Sequence, residues 1–177
     1  VQAQQVDNLV LFTEQYPPFN FEQDGQLKGI AVELIVLMLE KLYSKLKREH
    51  IKLVHWARGY RSALSKKYTC LFSTTRTEER EQLFRWVGPI AVNHVVLIAK
   101  KERKIRIRSA EEIRNYRVGV VADDIAVQFL VNTGIPKASL KSVPSTATNI
   151  LKLDRGRIDL WAYGENVARW EIKAHGF

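Results

Sequence analysis

The chain has 177 residues, of which 46% are hydrophobic and 27% are charged, a composition typical of a globular protein with a sizeable core. Its formal net charge is +9, shared as +3 over residues 1–92 (13 Lys and Arg against 10 Asp and Glu) and +6 over residues 93–177 (15 against 9). No recognised nucleic-acid-binding module accompanies this diffuse charge, so we expect no nucleic-acid partner. The longest strongly apolar stretch, Ile30–Leu39, contains Glu33 and is too short to span a bilayer.

In the first half, predicted strands alternate with predicted helices. The long helix is indicated by apolar residues that recur at helical spacing, from Leu34 to Leu46. The predicted elements are a strand at Leu9–Thr13, a helix from about Ile30 to Arg48, a strand at Ile51–His55, a helix around Tyr60–Lys66, a strand at Thr69–Ser73, a helix behind Thr77 and a strand at Val92–Ala99. Cys70, the only cysteine, lies in an apolar strand pattern, and we interpret it as a buried small hydrophobe.

The segment Ser73–Pro89 carries the most informative local pattern. Thr77 is predicted to cap a helix whose first turn holds Glu78 and Glu79, and Arg80 follows in the same turn. Backbone N–H groups, the Thr75 hydroxyl and the Arg80 guanidinium would then converge on one small anion, with Arg80 binding a carboxylate in bidentate fashion. The alternative is a capped surface helix in which Arg80 pairs with Glu81 or another neighbouring acid.

The basic run Lys100–Arg108 follows the apolar strand and precedes a predicted helix start at Ser109, so we interpret it as a solvated connection. The remaining predicted elements also alternate between helix and strand, which argues for a mainly parallel α/β sheet in each half, with ligands at the strand carboxyl ends. They are a helix from Ser109, a strand at Arg117–Val121, a helix at Asp124–Asn132, a strand at Ser139–Val143, a helix from Ser145 to about Gly156, a strand at Ile158–Ala162 and a helix at Glu165–Lys173.

Four landmarks occur in an order and at spacings that resemble the polar-amino-acid (family 3) periplasmic solute-binding proteins over nearly the whole chain. Each motif is weak alone, and their order makes the resemblance specific. They are Leu9–Phe21 with its aromatic-proline loop followed by Gly25 and Lys28–Ile30, then Trp56–Leu64, then Thr77–Arg80 with the tail Trp86–Pro89, and then Val118–Asp124.

The resemblance implies a type 2 periplasmic-binding fold, with two α/β lobes around a cleft. We assign residues 1–92 to lobe 1 and residues 93–177 to lobe 2. Family members usually continue beyond the position of Phe177 through a return strand and one or two helices, so we interpret the chain as C-terminally truncated. Sheet edges left without that segment predict pairing with a second copy, as a homodimer or with exchanged elements.

Carried over residue by residue, the resemblance makes Arg80 the clamp for a ligand carboxylate, supported by Thr75 and by backbone groups near Ser73. Glu14 resembles the family's first-lobe acid that accepts a ligand amine, and an exposed turn acid is the equally favoured alternative. Tyr16 and Trp56 fall where the family stacks aromatic rings on its ligand.

Lobe 2 departs from the amino-acid-binding pattern. Asp123 and Asp124 stand where many family members have a Gly, Ser or Thr-rich turn, and Tyr163 stands near the position of an aspartate for the ligand amine. We keep Asp123 and Tyr163 as candidate ligand contacts, while Asp124 is an equally good helix cap.

The sequence and the resemblance together predict a non-enzymatic solute-binding protein. It would be secreted to the periplasm through a signal peptide, and the polar start Val1–Gln5 fits a terminus left after cleavage. Its ligand would be an amino acid or small organic acid, delivered to the membrane subunits of an ABC transporter. No cofactor or metal is expected, because the four histidines lack metal-ligand spacing. The alternatives are an extracytoplasmic sensor domain and a dehydratase that uses Glu14 and Glu165 as acid and base.

Overall fold

A computed structural model describes residues 6–176, and the start Val1–Gln5 lies outside these described residues. The chain divides into two compact units, Val1–Val92 (unit 1) and Asn93–Phe177 (unit 2). The fold is mixed α/β with mainly parallel sheets, as predicted. The strands are β1 (Val10–Thr13), β2 (Phe21–Gln23), β3 (Gln26–Lys28), β4 (Lys52–Leu53), β5 (Thr69–Leu71), β6 (Val95–Ile98), β7 (Val118–Val121), β8 (Lys141–Val143) and β9 (Leu160–Gly164). The helices are α1 (Ile30–Lys41), α2 (Trp56–Ser65), α3 (Glu78–Glu81), α4 (Ile125–Asn132), α5 (Thr146–Asp154) and α6 (Glu165–Ala174).

Unit 1 is built on a three-stranded parallel sheet in the order β4–β1–β5. Phe12 of β1 pairs with Lys52 of β4 and with Leu71 of β5. A short antiparallel hairpin of β2 and β3, which the sequence analysis did not predict, follows the aromatic-proline loop. The core beneath α1 contains Leu11, Ala31, Val32, Leu39, Ile51 and Phe72.

Gly29 joins the hairpin to α1 and allows the helix to start directly against the aromatic-proline loop. Its φ is +121°, and an added Cβ would lie 2.3 Å from the carbonyl oxygen of Phe19. The first N–H groups of the helix donate to this loop, from Ile30 to the Pro18 carbonyl (3.1 Å) and from Ala31 to the Phe19 carbonyl (2.8 Å). These bonds satisfy helix N–H groups that would otherwise lack a partner and fix the loop on the helix.

The long helix predicted to reach Arg48 ends at Lys41 instead. Tyr43 takes a left-handed φ of 52°, and the N–H groups of Tyr43 and Ser44 donate to the carbonyls of Glu40 and Leu39. This is a Schellman ending with tyrosine in the position that glycine usually holds, so the sequence carries no stop signal. Asp7 then binds the chain after the helix, since its Oδ1 accepts from the Ser44 hydroxyl (2.6 Å) and the Lys45 N–H (2.8 Å).

Unit 2 has a four-stranded sheet in the order β6–β9–β7–β8, with β6 antiparallel to β9 and the other pairs parallel. Alternate residues of β7 and β9 pack against α4 on one face, and the buried cluster there contains Ile113, Val118, Val120, Ala126, Val127, Leu130, Ile135, Leu140, Leu160 and Ala162. The helix predicted from Ser109 is a 3₁₀ helix at Glu111–Asn115. No helix among residues 6–176 is both long enough and apolar enough to cross a membrane.

Asp159 ties three segments of unit 2 together at the start of β9. Its carboxylate accepts hydrogen bonds from Arg117 Nε and Nη2 and from Arg103 Nη2, each 2.9 Å long, and from the Arg117 N–H at 3.0 Å. The side chain is only 9% exposed. Hydrogen bonding from Arg117, above all, lowers the pKa of Asp159 from 3.8 to about 2.

Gly29→Ala is expected to cost more than about 3 kcal/mol of unfolding free energy or to prevent folding, because the new methyl group collides with backbone atoms. Gly25→Ala is the matched control: its φ is also positive (+72°), but no atom lies within 4 Å of the added Cβ. That control should cost only about 1–2 kcal/mol. Urea unfolding, followed by circular dichroism, measures the unfolding free energy of both variants. An equal loss of unfolding free energy in the two would contradict the packing assigned to Gly29.

Asp159→Asn is expected to lower the unfolding free energy at neutral pH by about 1–2 kcal/mol. Because the folded-state pKa lies below 3.8, the contribution of the carboxylate is present above that pH and is lost as the pH falls through about 2. The difference between wild type and variant should therefore shrink in acid unfolding series. Asp154→Asn, which removes a more exposed acid paired with Lys100, is the control and should change stability by less than about 0.5 kcal/mol.

Candidate functional site

The three parallel strands of unit 1 deliver three of the predicted site residues to one edge of the sheet. Glu14 directly follows β1, Trp56 opens α2 after β4, and Ser73 follows β5. Pairing continues past the strand end, since the N–H of Val54 donates to the carbonyl of Thr13 at 2.9 Å. The carboxyl edge of this sheet is therefore the candidate site, in the position expected for a parallel sheet.

Arg80 is buried at this site, with 5% of its surface exposed. Its guanidinium lies over two aromatic rings, 5.3 Å from the ring centroid of Trp56 and 5.0 Å from that of Tyr60. Nη1 donates to the Thr75 carbonyl oxygen at 3.3 Å. The structure thus brings Arg80, Thr75 and Trp56 together, and cation–π attraction helps to hold the buried charge.

A chain of aromatic rings supports this cation. Trp56 stacks on Tyr60 (centroids 5.2 Å apart), Tyr60 meets the edge of Phe84 (5.6 Å), and Phe84 meets Trp86 (5.5 Å). Packing between aromatic rings in such arrangements is favourable beyond the area that it buries. The position of Arg80 is therefore determined by α2 and by the segment behind α3 together.

Helix α3 differs from the predicted helix in two respects. It spans a single turn, Glu78–Glu81, and the side chain of Thr77 makes no capping hydrogen bond although Thr77 holds the N-cap position. The turn ends where Trp86 Nε1 donates to the Glu81 carbonyl oxygen at 3.2 Å. The carboxylate of Glu81 is bound by Arg76, whose Nε lies 2.6 Å from Oε2. Glu81 is thus engaged by an arginine other than Arg80.

Two buried hydroxyl groups lie at the same strand ends. Thr13 closes β1 and is fully buried, and Ser73 follows β5 with a left-handed φ of 59°. Neither Thr13 Oγ1 nor Ser73 Oγ has a hydrogen-bond partner within residues 6–176. A buried polar atom without a partner costs free energy, and these two hydroxyls, together with Asn20 Oδ1, are such atoms at this edge.

The aromatic-proline loop folds back on the same edge. Tyr16 and Asn20 form an antiparallel bridge, in which the Tyr16 N–H donates to the Asn20 carbonyl at 2.6 Å. Asn20 is fully buried, and its Nδ2 donates to the backbone carbonyl of Glu14 at 2.6 Å. Tyr16 and Glu14 are both buried, at 5% and 9% exposure, so Glu14 is not an exposed turn acid.

In unit 2, the turn after β7 carries the two predicted acids in different states. Asp124 is the N-cap of α4: it is 7% exposed, and its Oδ1 accepts from the Ala126 N–H at 2.9 Å. Asp123 has a left-handed φ of 58°, is half exposed and lies 3.8 Å from Lys137 Nζ. The carboxylate of Asp124 is therefore engaged in its own helix.

Tyr163 lies near the end of β9 and is 1% exposed. Its ring stacks on that of Trp161, with centroids 5.4 Å apart and an interplanar angle of 21°. Glu165, the acid weighed for catalysis, is bound through Oε1 by Arg169 one helical turn later (Nη2 at 2.8 Å). No group of His, Cys, Asp or Glu in the described part of the chain could hold a metal ion.

Three residues of this edge, Thr13, Asn20 and Tyr60, are not among the predicted site residues. The spacing of Trp56 and Tyr60, four residues apart, places both rings on one helix face and could have identified Tyr60 as a partner of a nearby cation. A threonine at the end of a buried strand and an asparagine after an aromatic run are weaker signals. Their burial depends on how the loop folds back, which no local pattern specifies.

Comparison with known proteins gives one family and a consistent fold. The sequence profile of the bacterial extracellular solute-binding proteins, family 3, matches residues 9–153. No curated protein sequence matches the chain.

Solved structures share the fold at low sequence identity. An ancestral arginine-binding protein bound to glutamine has a TM-score of 0.79 at 21% identity, over 96% of this chain and 75% of that one. The arginine-, lysine-, histidine-binding protein ArtJ from Geobacillus stearothermophilus has a TM-score of 0.79 at 19% identity, over 94% of this chain and 71% of that one. The substrate-binding protein AbpA from Streptococcus pneumoniae, bound to L-arginine, has a TM-score of 0.79 at 21% identity, over 97% of this chain and 74% of that one.

Thr13→Val and Ser73→Ala are expected to leave the unfolding free energy of the free protein unchanged or to raise it by up to about 1 kcal/mol, because each removes an unsatisfied buried hydroxyl. Asn20→Ala is the contrast and should cost about 1–3 kcal/mol, since it leaves the buried Glu14 carbonyl without its donor. Urea unfolding measures all three. A loss above about 1 kcal/mol for either hydroxyl variant would show that the hydroxyl is satisfied in the free protein.

Proposed function

Because the chain belongs to the bacterial extracellular solute-binding proteins of family 3, we propose that it captures a small solute bearing a carboxylate, of the amino-acid class, at the candidate site of unit 1. Membership of a solute-binding family confirms the prediction that the chain is not an enzyme. The dehydratase alternative built on Glu14 and Glu165 is accordingly set aside.

The observation that carries the proposal is the arrangement of Arg80 on the rings of Trp56 and Tyr60. The two rings help to hold the guanidinium in place, and a guanidinium offers its N–H donors in a planar fork that matches the two oxygens of a carboxylate. The buried hydroxyls of Thr13 and Ser73 at the neighbouring strand ends add donors for the same ligand. These groups together suit an anion with two oxygens.

The ligand class is supported by the ligands of the similar structures. They include proteins bound to glutamine and to L-arginine and one described as arginine-, lysine- and histidine-binding. These ligands share an α-carboxylate and an α-ammonium group. In the proposal, Arg80 and Thr75 bind the carboxylate, Glu14 accepts the cationic part, and Tyr16 and Trp56 line the site.

Asp123 and Tyr163 of unit 2 are proposed as further contacts of the same ligand. Asp123 is the better acceptor for a ligand amine, because Asp124 is engaged as the helix cap.

The proposed partners follow from this role. In the periplasm, after removal of a signal peptide, the protein would deliver its ligand to the membrane subunits of an ABC transporter; a ligand-sensing extracytoplasmic domain is the alternative. A homodimer formed through exposed sheet edges is the second proposed partner. The apolar side chains that α1 exposes would add surface for such a contact, namely Ile30 (58%), Leu34 (38%), Leu37 (48%) and Met38 (37%).

Arg80→Gln is expected to remove the carboxylate contribution to binding. A thermal-shift screen of amino acids and small organic acids first identifies a ligand, since binding to the folded state raises the melting temperature. Calorimetry then compares the best amino acid with its amide, which lacks the carboxylate charge. Wild type should prefer the free acid by at least about 30-fold, and Arg80→Gln should abolish this preference.

Arg76→Gln is the matched control, because it removes an arginine of the same segment that is 60% exposed and bound to Glu81. It should keep the preference for the free acid. Equal affinities of wild type for acid and amide would contradict carboxylate recognition, and an unchanged preference in Arg80→Gln would contradict the role of Arg80.

A further inference from the structure

The basic run after β6 forms a defined surface feature of unit 2. Six of the nine residues from Lys100 to Arg108 are Lys or Arg, and one is acidic. Ile105 and Ile107 pack against the core of unit 2, while Lys104, Arg106 and Arg108 are exposed. This alternation has the period of an extended chain, in which every second side chain leaves from the same face about 7 Å further along.

Two of the six cations have structural partners. Lys100 lies 3.2 Å from Glu102 and 3.3 Å from Asp154, and Arg103 is bound to Asp159. These ion pairs anchor the start of the run to the rest of unit 2. They do not account for the other four cations.

The remaining four cations, Lys101, Lys104, Arg106 and Arg108, have no ion-pair partner among the described residues, and we name them the basic strip. Nearby acids are engaged elsewhere: Glu112 accepts from the Arg108 backbone N–H at 2.9 Å, and Glu111 is hydrogen-bonded to Ser109. The strip therefore presents several exposed positive charges in a row, with its apolar residues facing inward.

We propose that the basic strip docks the protein on an anionic phospholipid surface. Charge complementarity supports this occupant: the four cations are exposed and spread along the run, which suits a plane of many phosphate groups better than enclosure of one small anion. The family is extracellular, where a membrane surface is available to a secreted protein. The inference does not depend on the identity or the binding of the solute.

A nucleic acid is the less suitable occupant. The run Lys100–Arg108 contains only Lys, Arg, Glu and Ile, so it offers no aromatic ring on which a base could stack. Its isoleucines are committed to the core of unit 2 and leave no apolar surface for base contacts.

The test is cosedimentation of the protein with phosphatidylcholine vesicles with and without phosphatidylglycerol, at low and high salt. Each cation near an anionic surface strengthens binding roughly fivefold. Replacing all four strip residues by Gln should therefore weaken binding to the anionic vesicles by roughly several hundred fold. Wild type should bind the anionic vesicles only, and high salt should release it.

The matched control replaces Lys41, Lys47, Lys66 and Lys67 of unit 1, four exposed lysines, by Gln and so removes the same net charge. It should retain most of the vesicle binding. The proposal is overturned if wild type does not bind anionic vesicles, if the control loses as much as the strip variant, or if wild type binds RNA through the strip while ignoring the vesicles. Circular dichroism melting confirms that both variants are folded.

Discussion

The parallel pairing of β1 with both β4 and β5 is the constraint on which the candidate site depends. Parallel strands that share a register end at the same edge, and the chain must leave the sheet there three times. The residues at these strand ends carry different functional groups: the acid Glu14 after β1, the aromatic Trp56 after β4 and the hydroxyl of Ser73 after β5. Residues more than fifty positions apart in sequence are thereby neighbours, although none of their local motifs requires it.

Arg80 shows how unit 1 tolerates a buried charge. Removing an ion from water costs roughly several kcal/mol unless the protein replaces the lost hydration. Here the faces of two rings and a backbone carbonyl supply part of that replacement. The rings of Phe84 and Trp86 pack behind Tyr60 and so belong to the surroundings that hold Arg80 in place.

Much of this arrangement was accessible from sequence. The alternation of elements gave the mainly parallel α/β class, and the order of four motifs gave the family. The end of α1 was not accessible, because Tyr43 adopts a left-handed conformation for which its residue type gives no signal. The spacing of Trp56 and Tyr60 indicates two rings on one helix face, but which cation meets them, and the burial of Asn20, depend on tertiary packing. The hairpin of β2 and β3 is too short for periodicity to reveal.

The capping of α4 by its own Asp124 biases what unit 2 can attract. A helix N-terminus carries partial positive charge and would ordinarily draw an anion, but here a resident carboxylate already occupies the Ala126 amide. Asp123 stands beside it, balanced in part by Lys137. The turn after β7 therefore presents two carboxylates where an uncapped helix would present unsatisfied N–H groups. Carboxylate oxygens are hydrogen-bond acceptors, so a group that meets this turn is better matched if it is a donor or a cation than if it is a second anion.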